Sequence, residues 1–429
     1  MTPKYTAAVA TRLSELRRQS ASESLMVFAR IYLRRHFTLP PSPMHLELVA
    51  KLEAITFRDR SARLAVAAPR GHAKNTLVSL AYVLWCAVYG RERLIYVISN
   101  TIDQAADHLA NVKAELEDNE LLWTDFPEVC EPPGGKPRPK RWRSREIITR
   151  NEIKIVAFGS GSKLRGRKHG AERPSLILLD DLEHEEEADS PDRREKLLSW
   201  LHQSVLNAGT TQTNFVVVGT ILNYGSVLAT LVDSPAWWSR KYQAVVSWAT
   251  NEGLWERWFN VFNHLAEHEG HSGPEAARAL YEANRSAMIE GAGSLWPEKE
   301  SYYDLMVMRL TMGQHAFNCE KQNAPTNPRD AVFRASEFVY WDDEYQSEEA
   351  LLAAVGKRGI VVGALDPSLG KAGRNRDDSA IVTVLVDRGT GIKYVLDADI
   401  ARRQPDEIIE AVVSYERRRH YRSFAVETV

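Results

Sequence analysis

"AAPRGHAKNTL", residues 67–77, is an altered version of a phosphate-binding loop. The usual pattern, G-x-x-x-x-G-K-[ST], has glycines that let backbone N–H groups close on phosphate oxygens. Aligned on Lys74, this chain has Ala68 and Ala73 at the glycine positions and Asn75 at the Ser/Thr position. Because only the lysine matches the pattern, the stretch taken by itself favours a Pro-Gly turn with a solvated lysine. The surrounding sequence is needed to distinguish such a turn from a phosphate-binding loop.

The surrounding segments alternate between short apolar strands and helices. The predicted strands are 62–69, 93–100, 153–159, 175–181 and 214–220, and the predicted helices between them are 74–89, 101–117 and 191–206. Further helices are predicted within 4–36, up to Ile55, and over the Trp-rich stretch 248–312. This alternation predicts an α/β protein with a parallel sheet and flanking helices. The altered loop falls between the first strand and the following helix, where a phosphate-binding loop belongs.

Composition limits the classes of protein that fit. With 429 residues, a net charge of −2 and 44% hydrophobic residues, the chain has the make-up of a soluble protein of two or three domains. Three widely spaced cysteines argue against a disulfide framework or a zinc site and fit a reducing cytoplasm. No signal peptide or membrane-spanning stretch is recognised. Contacts with nucleic acid would have to come from local basic stretches, such as 136–150 and 163–173.

"LILLDDLEHEEE", residues 176–187, is the second informative stretch. Four apolar residues followed by an acid predict a buried strand that carries Asp180 at its C-terminal tip, where parallel sheets bind ligands. An acid at this place holds Mg²⁺ on the phosphates of ATP, and a second acid, Asp181 or Glu183, can orient the attacking water. The alternative is an exposed acidic turn after a strand.

Together, the two stretches favour a site for ATP and Mg²⁺. Phosphate is bound by backbone N–H groups and a helix N-terminus, which do not depend on glycine side chains. Gly71 leaves one unrestricted backbone position, and Lys74 supplies charge for the β- and γ-phosphates. Either the Asn75 amide oxygen or the Thr76 hydroxyl would face Mg²⁺. The predicted ATP contacts are Pro69, Arg70, Gly71, His72, Ala73, Lys74, Asn75 and Thr76.

Two further elements can take part in hydrolysis. The flexible basic loop "GSGSKLRGRKHG", residues 159–170, offers Arg165 or Arg167 as an arginine finger that reaches the ATP of a neighbouring subunit. A contact with DNA phosphates explains the same loop about as well. Thr220, at the end of "VVVGT", can sense the γ-phosphate or can simply end a strand.

In this order and spacing, "PRGHAKNT", "LRGRKHG", "LILLDDLE" and "VVVGT" resemble the ATPase domain of phage large terminase subunits, the motors that pump DNA into empty capsids. That family tolerates a deviant phosphate loop with Arg before the Gly. The resemblance implies phosphate contacts for Lys74 and Arg70, Mg²⁺ binding by Asp180, a catalytic acid at Glu183 or Asp181, and coupling of hydrolysis to movement by Thr220. Residues 294–325 are similar to the segment that closes this domain.

The resemblance also implies partners and a location. The partners would be double-stranded DNA, the portal protein of the procapsid, the small terminase subunit and further copies of this chain in a ring, with no membrane. The protein would work in the host cytoplasm and dock transiently on the procapsid.

A second domain follows from "GIVVGALDPSLG", residues 359–370, which carries Asp366 at the end of an apolar strand. A strand with a terminal Asp, a three-strand meander, a helix and a strand with Glu427 have the order of an RNase H-like α/β nuclease, whose carboxylates hold two Mg²⁺ or Mn²⁺ ions. In terminases this domain cuts concatemeric DNA.

The expected organisation is an ATPase domain over 1–325, a linker over 326–356 and a nuclease domain over 357–429. Since the sequence stops at Val429, before a third carboxylate, a truncated nuclease domain with little or no cleavage is expected.

Two other functions remain open from sequence. One is a helicase-like or repair ATPase with the same core, although no clear set of helicase motifs is present. The other is a non-catalytic DNA or capsid adaptor, for which Asn75 is the best argument. ATP affinity separates the adaptor from the motor, because an adaptor would bind DNA without nucleotide.

Overall fold

A computed structural model of the chain describes residues 3–130, 142–164, 166–184, 190–325, 339–367, 379–401 and 403–427. The chain divides into two compact units, Met1–Pro328 and Arg329–Val429. Over the described residues, no helix combines the length and the apolar character that crossing a membrane requires.

A seven-stranded sheet organises the first unit. Its strands are β1 (Arg63–Ala67), β2 (Leu94–Ser99), β3 (Glu146–Ile148), β4 (Lys154–Gly159), β5 (Leu176–Asp180), β6 (Asn214–Gly219) and β7 (Trp238–Lys241). They lie in the order β3-β4-β2-β5-β6-β1-β7. All neighbours pair in parallel except β3, which pairs antiparallel with β4 at one edge. The predicted α/β class and mostly parallel sheet are confirmed.

Helices surround this sheet. They are α1 (Pro3–Glu23), α2 (Leu25–Tyr32), α3 (Pro43–Phe57), α4 (Val83–Val88), α5 (Ile102–Asp118), α6 (Glu120–Asp125), α7 (Pro191–Trp200), α8 (Val227–Val232), α9 (Glu252–Phe262), α10 (Pro274–Ala283), α11 (Arg285–Met288), α12 (Tyr302–Met312) and α13 (Gln314–Glu320). A π-helical segment, Thr76–Tyr82, runs directly into α4, and another, Leu201–Val205, follows α7. A short antiparallel pair, β8 (Val245–Ser247) and β9 (Gly293–Ser294), interrupts the region predicted as helical.

Both faces of the sheet are covered, as the apolar strands require. Leu64 and Val66 of β1 belong to a core shared with α2, α3 and α4, whereas Ala65 and Ala67 belong to a second core on the opposite face. Successive residues of a strand point to opposite faces, so an uninterrupted apolar strand is buried from both sides.

The strand order determines which loops meet. Because β5, β6 and β1 are adjacent and parallel, their C-terminal ends lie side by side along the same border of the sheet, the one formed by strand ends. The loop after β1, the acids after β5 and Thr220 after β6 are therefore neighbours, and such a border is where open α/β sheets bind ligands.

The second unit contains a four-stranded mixed sheet and two helices. Its elements are α14 (Glu348–Val355), β10 (Gly359–Asp366), β11 (Ser379–Asp387), β12 (Lys393–Ala401), α15 (Pro405–Arg419) and β13 (Ser423–Val426). The strand order is β12-β11-β10-β13, with β10 antiparallel to β11 and parallel to β13.

The region expected to be a linker, 326–356, is structured in its second half. Helix α14 lies within it, and Leu351 and Val355 of this helix are buried against Leu385 of β11. The apolar residues in "EEALLAAV" give the helix a face that packs on the sheet, so this part belongs to the second unit.

Candidate nucleotide-binding site

The loop after β1 has the backbone shape that its usual glycines permit. Gly71 has φ +85°, and Ala73, at the second glycine position of the pattern, has φ +55°. The left-handed region costs a residue with a Cβ about 1 kcal/mol or more. Ala73 therefore keeps the conformation of a phosphate-binding loop in spite of its side chain.

Lys74 points into the site rather than into solvent. Its side chain is 7% exposed, and its Nζ lies 3.4 Å from Asp181 Oδ2. The same Nζ donates a hydrogen bond of 3.0 Å to Thr220 Oγ1, and Thr220 donates in turn to the carbonyl oxygen of Ala68. The tips of β1, β5 and β6 are thus joined through one buried cation, which rules out the solvated lysine of the simple turn.

Asp180 is completely buried at the end of β5. Ser79, in the π-helical segment, donates a hydrogen bond of 2.5 Å to Asp180 Oδ2. Among the described residues, the other carboxylate oxygen, Oδ1, has no hydrogen-bond partner. Burial and the neighbouring charge of Asp181 raise the pKa of Asp180 to about 7. A buried carboxylate with one uncompensated oxygen is a suitable ligand for a divalent cation, which would favour its charged form.

Glu183 is held at the start of α8. Its Oε2 accepts a hydrogen bond of 2.8 Å from the backbone N–H of Val227. Asp181, by contrast, forms an ion pair with Lys74. Its positive φ of 46° turns the chain directly after β5. The two predicted catalytic acids therefore flank the loop in different ways, one paired with the lysine and one bound to a helix terminus.

The loop, Asp181, Glu183 and Thr220 border a cavity of about 710 Å³, whereas the buried Asp180 is not part of its lining. Its lining includes six residues of the loop, Arg70, Gly71, Ala73, Lys74, Asn75 and Thr76, together with Asp181, Glu183 and Thr220. A further wall comes from the N-terminal region, which the sequence did not connect with the site: Met26, Arg30, Phe37, Leu39 and Pro41. Cavities that hold cofactor-sized ligands measure about 300–1,000 Å³, and this cavity lies within that range.

Residues of the segment 294–325 contact the loop at Arg70. Arg70 forms an ion pair with Glu320, with 2.8 Å between Nε and Oε2, and its backbone N–H donates to the Glu320 carbonyl oxygen. Lys321 donates a hydrogen bond to the Arg70 carbonyl oxygen and pairs with Glu300 at 2.6 Å. None of these three partners was singled out from sequence, because a long stretch of chain separates them from the loop.

His72 faces away from the cavity. Its ring is buried near Trp296, with 6.0 Å between the ring centroids, and its carbonyl oxygen accepts a hydrogen bond from His45 Nε2. Burial, followed by the charge of Lys321, lowers the pKa of His72 to about 4. The neutral ring supports the loop, and only the backbone of His72 remains available for phosphate. Pro69, also among the predicted contacts, does not border the cavity.

Of the two predicted arginine fingers, Arg167 does not border the cavity of its own chain. Arg165 lies outside the described residues. The guanidinium of Arg167 lies over the ring of Phe158, at 4.9 Å from its centroid, and its Nε donates to the carbonyl oxygen of Lys163. The side chain is exposed to solvent on the loop before β5.

In the second unit, Asp366 and Glu427 lie side by side. Leu365 of β10 and Val426 of β13 are register partners, and the backbone N–H of Glu427 donates to the Leu365 carbonyl oxygen over 3.0 Å. Both carboxylates are exposed at the same end of two parallel strands. Among the described residues of the chain, no group of three or more His, Cys, Asp or Glu side chains is arranged to hold a metal ion.

Comparison with known proteins gives structural similarities alone. No protein-family model matches the sequence, and no curated protein matches it. The chain is similar to the large terminase of a thermophilic bacteriophage, with 10% identity, coverage of 91% of this chain and 78% of that one, and a TM-score of 0.35. The same terminase in complex with ADP gives 10% identity, coverage of 90% and 77%, and a TM-score of 0.36.

A further similarity is to the ATPase domain of a Thermus phage large terminase, with 13% identity, coverage of 67% of this chain and 100% of that one, and a TM-score of 0.29. Similarity at this level assigns no function, which has to be inferred from the residues of the site. The chain resembles phage large terminases over about nine-tenths of its length, at low identity and modest TM-scores.

Proposed function

We propose that the chain binds ATP together with Mg²⁺ in the cavity of the first unit and hydrolyses it. The observation that carries this proposal is the position of Lys74, buried between Asp181 and Thr220 at the tips of three adjacent strands. A lysine is costly to bury unless its charge is used or compensated. Phosphate oxygens at the loop would take over its hydrogen bonds.

Each side chain of the site has a distinct role in the proposed reaction. Lys74 and the loop N–H groups bind the β- and γ-phosphates, and Arg70 lies at the rim of the cavity. Asp180 and either the Asn75 amide oxygen or the Thr76 hydroxyl are the ligands available to Mg²⁺, which when bound would neutralise charge developing on the transferred phosphoryl group. Water attacks the γ-phosphorus, the bond to the bridging oxygen of ADP breaks, and inorganic phosphate leaves.

Two acids are available to orient the attacking water. Asp181 is paired with Lys74, with 3.4 Å between Oδ2 and Nζ, and borders the cavity. Glu183 is oriented by the N–H of Val227 and also borders the cavity. We assign water orientation to Glu183. When phosphate binds, Lys74 would turn from Asp181 towards the phosphate oxygens. Asp181 would then lie close to the γ-phosphate, and the negative charges of the two groups would repel each other.

We further propose that hydrolysis drives double-stranded DNA into a viral procapsid. The support is the set of motifs that resembles large terminases, together with the exposed basic loop around Arg167. This role implies a ring of copies, a portal protein, a small terminase subunit and a cytoplasmic location in the host. Contacts with duplex phosphates would be independent of sequence and strongly dependent on salt.

For the second unit we propose metal-dependent cleavage of DNA. The strand order β12-β11-β10-β13 and the adjacency of Asp366 and Glu427 support an RNase H-like site. Two exposed carboxylates on neighbouring strands can share Mg²⁺ or Mn²⁺, which activates water and stabilises the leaving oxygen. Further ligands would complete such a site.

The first experiment measures Mg²⁺-dependent ATP turnover with and without linear duplex DNA. It compares the wild-type chain with Lys74→Ala and with Lys196→Ala, a matched change of an exposed lysine on α7. We expect turnover in the wild type and in Lys196→Ala, and at least a hundredfold loss in Lys74→Ala.

ATP binding separates the motor from the adaptor. A wild-type chain that binds duplex DNA but no ATP, in a preparation shown to be assembled into rings, would support the adaptor and overturn the proposed ATPase. Equal ATP turnover in wild type and Lys74→Ala would show that the loop after β1 does not bind the hydrolysed ATP and that hydrolysis takes place at another site.

A further inference from the structure

The loop lacks a hydroxyl where one is usually needed. In phosphate-loop enzymes, the Ser or Thr after the lysine and an acid at the tip of a neighbouring strand hold Mg²⁺ together. Here that position is Asn75, which borders the cavity and has no hydroxyl. Asp180 nevertheless receives a hydroxyl hydrogen bond, from a residue one helical turn further along.

That residue is Ser79. It follows Asn75 by four residues, so the two lie on the same side of the helical segment. Ser79 is completely buried, and its Oγ donates to Asp180 Oδ2 over 2.5 Å. The segment that carries it, Thr76–Tyr82, is π-helical, a form that occurs mainly as single turns at functional sites.

We propose that Ser79 is a positioning residue for Mg²⁺: its hydroxyl holds one oxygen of Asp180 so that the other is presented to the cation. This inference rests on the proposed ATPase and adds to it a residue that fixes the orientation of Asp180.

The surroundings of Asp180 support this division of its two oxygens. Oδ2 is occupied by Ser79 and lies 3.6 Å from His108 Nε2, beyond hydrogen-bond distance. Oδ1 is buried and, within the described part of the chain, has no hydrogen-bond partner. A buried carboxylate oxygen left without a partner costs free energy unless a cation or proton compensates it. Without Ser79, the carboxylate could rotate and would lose its fixed orientation.

The test removes the hydroxyl in two ways. Ser79→Ala deletes it, and Ser79→Cys deletes it while nearly keeping the side-chain volume, so that one variant remains informative if the other is poorly folded. Thr56→Val is the matched control, because Thr56 is buried and its hydroxyl is hydrogen-bonded to Tyr82 of the same π-helical segment. Melting temperatures establish that each protein is folded.

Two measurements report on the cation. The first is Mn²⁺ binding to the full chain with a non-hydrolysable ATP analogue, followed by the electron paramagnetic resonance signal of free Mn²⁺. The second is the Mg²⁺ concentration for half-maximal turnover at saturating ATP. Residues that orient a metal ligand typically change metal affinity by about 10–100-fold when they are replaced.

We expect both Ser79 variants to weaken Mn²⁺ binding and to raise the required Mg²⁺ concentration roughly tenfold. The KM for ATP at saturating Mg²⁺ should change less than about twofold, since Ser79 does not contact nucleotide in this proposal. Thr56→Val should resemble the wild type in both measurements, even if it melts at a lower temperature.

The inference and the proposed ATPase fail in different ways. If Lys74→Ala abolishes turnover while a folded Ser79 variant binds Mn²⁺ as the wild type does, Ser79 has no positioning role and the ATPase stands. If the analogue adds no Mn²⁺ binding to what the wild-type chain shows without nucleotide, both proposals are overturned.

Discussion

Lys321 donates a hydrogen bond from its buried ammonium group to the backbone carbonyl oxygen of Arg70, over 2.9 Å. The contact joins the end of α13 to the loop after β1, immediately before Gly71. The same Nζ is 2.6 Å from Glu300 Oε1, and both side chains are less than 10% exposed. The shape of the loop therefore depends on an ion pair that is distant from it in sequence.

Replacing Lys321 with Met should destabilise the protein and weaken ATP binding. Glu300 would become an unpaired buried carboxylate, which costs about 3–5 kcal/mol in the free energy of unfolding. Urea unfolding measures this loss, and titration with a fluorescent nucleotide measures affinity. The double variant Lys321→Met with Glu300→Leu should recover much of the stability but not the affinity, because the hydrogen bond to Arg70 is still missing. Equal unfolding free energies for the single and double variants would contradict this account.

Gly219 at the end of β6 makes room for Asp181, the acid that is paired with Lys74. A Cβ at this position would lie 3.2 Å from Asp181 Oδ1 and 3.1 Å from Leu228 Cδ2. We expect Gly219→Ala to displace Asp181 and to lower kcat about tenfold, since small displacements of reacting groups have large effects on rate. Steady-state kinetics on folded protein provides the measurement. In the matched control Gly253→Ala, a Cβ meets nothing within 4 Å, and kcat should be unchanged. Parallel losses in both variants would argue against a local effect.

The pKa of Asp180 gives the stability of the metal-free protein a specific pH dependence. Burial and the charge of Asp181 raise this pKa from 3.8 to about 7. Between these two values the folded chain keeps a proton that the unfolded chain has lost, so the free energy of unfolding falls as the pH rises. The contribution amounts to up to about 4 kcal/mol between pH 4 and pH 7.

Asp180→Asn removes the titrating group. We expect the variant, relative to wild type, to gain stability as the pH rises through this range when both are unfolded by urea in the presence of a chelator. A stability difference that does not change with pH would show that Asp180 keeps an ordinary pKa.

Arg167 should act on the ATP of a neighbouring subunit. Its side chain is exposed over Phe158 and outside the cavity of its own chain, so Arg167→Ala should leave the melting temperature almost unchanged. An arginine finger contributes about 10³-fold or more to turnover. Mixing inactive Arg167→Ala with inactive Lys74→Ala should restore part of the activity, because some interfaces then combine an intact loop with an intact arginine. The alternative is that Arg167 contacts DNA phosphate. In that case the mixture stays inactive, Arg167→Ala binds DNA more weakly than wild type, and its DNA affinity depends less steeply on salt concentration.

Asp366 and Glu427 should bind Mn²⁺ jointly, in the absence of nucleotide. Asp366→Asn and Glu427→Gln are each expected to remove the same weak Mn²⁺ site, because the two carboxylates end neighbouring parallel strands. Paramagnetic broadening of signals near β10 and β13 provides the measurement, with Glu410→Gln on the exposed face of α15 as the control. Binding that survives either change at the strand ends would place the cation elsewhere.

The sequence predicted the parts of this architecture that have a local signal. The strands β1, β2, β4, β5 and β6 are apolar runs bounded by polar or turn residues, and each was expected within one or two residues of its bounds. The proximity of the loop after β1 to the acids after β5 was predicted from the parallel arrangement of the strands alone. The edge strand β3 has three residues and β7 has the polar sequence "WSRK", so neither has a pattern that distinguishes it from a loop.

Contacts between distant segments had no such signal. The wall of the cavity from α2 and the turn after it, the support from Lys321 and the hydroxyl of Ser79 depend on which faces meet in three dimensions. The largely apolar stretch after Lys74 predicted a helix over 74–89, but its π-helical first part arises from packing that no residue spacing reveals.

The tie between Lys321 and Arg70 also bears on the order in which the site is made during synthesis. The ribosome releases the loop, its lysine and the strand before it while a long stretch of chain that includes Glu300 and Lys321 is still untranslated. Contacts between such distant segments form late, because the chain between them must first be ordered. On the proposed function, a nascent chain would therefore contain the loop and its lysine well before it could bind ATP, which would require residue 321 to have been translated.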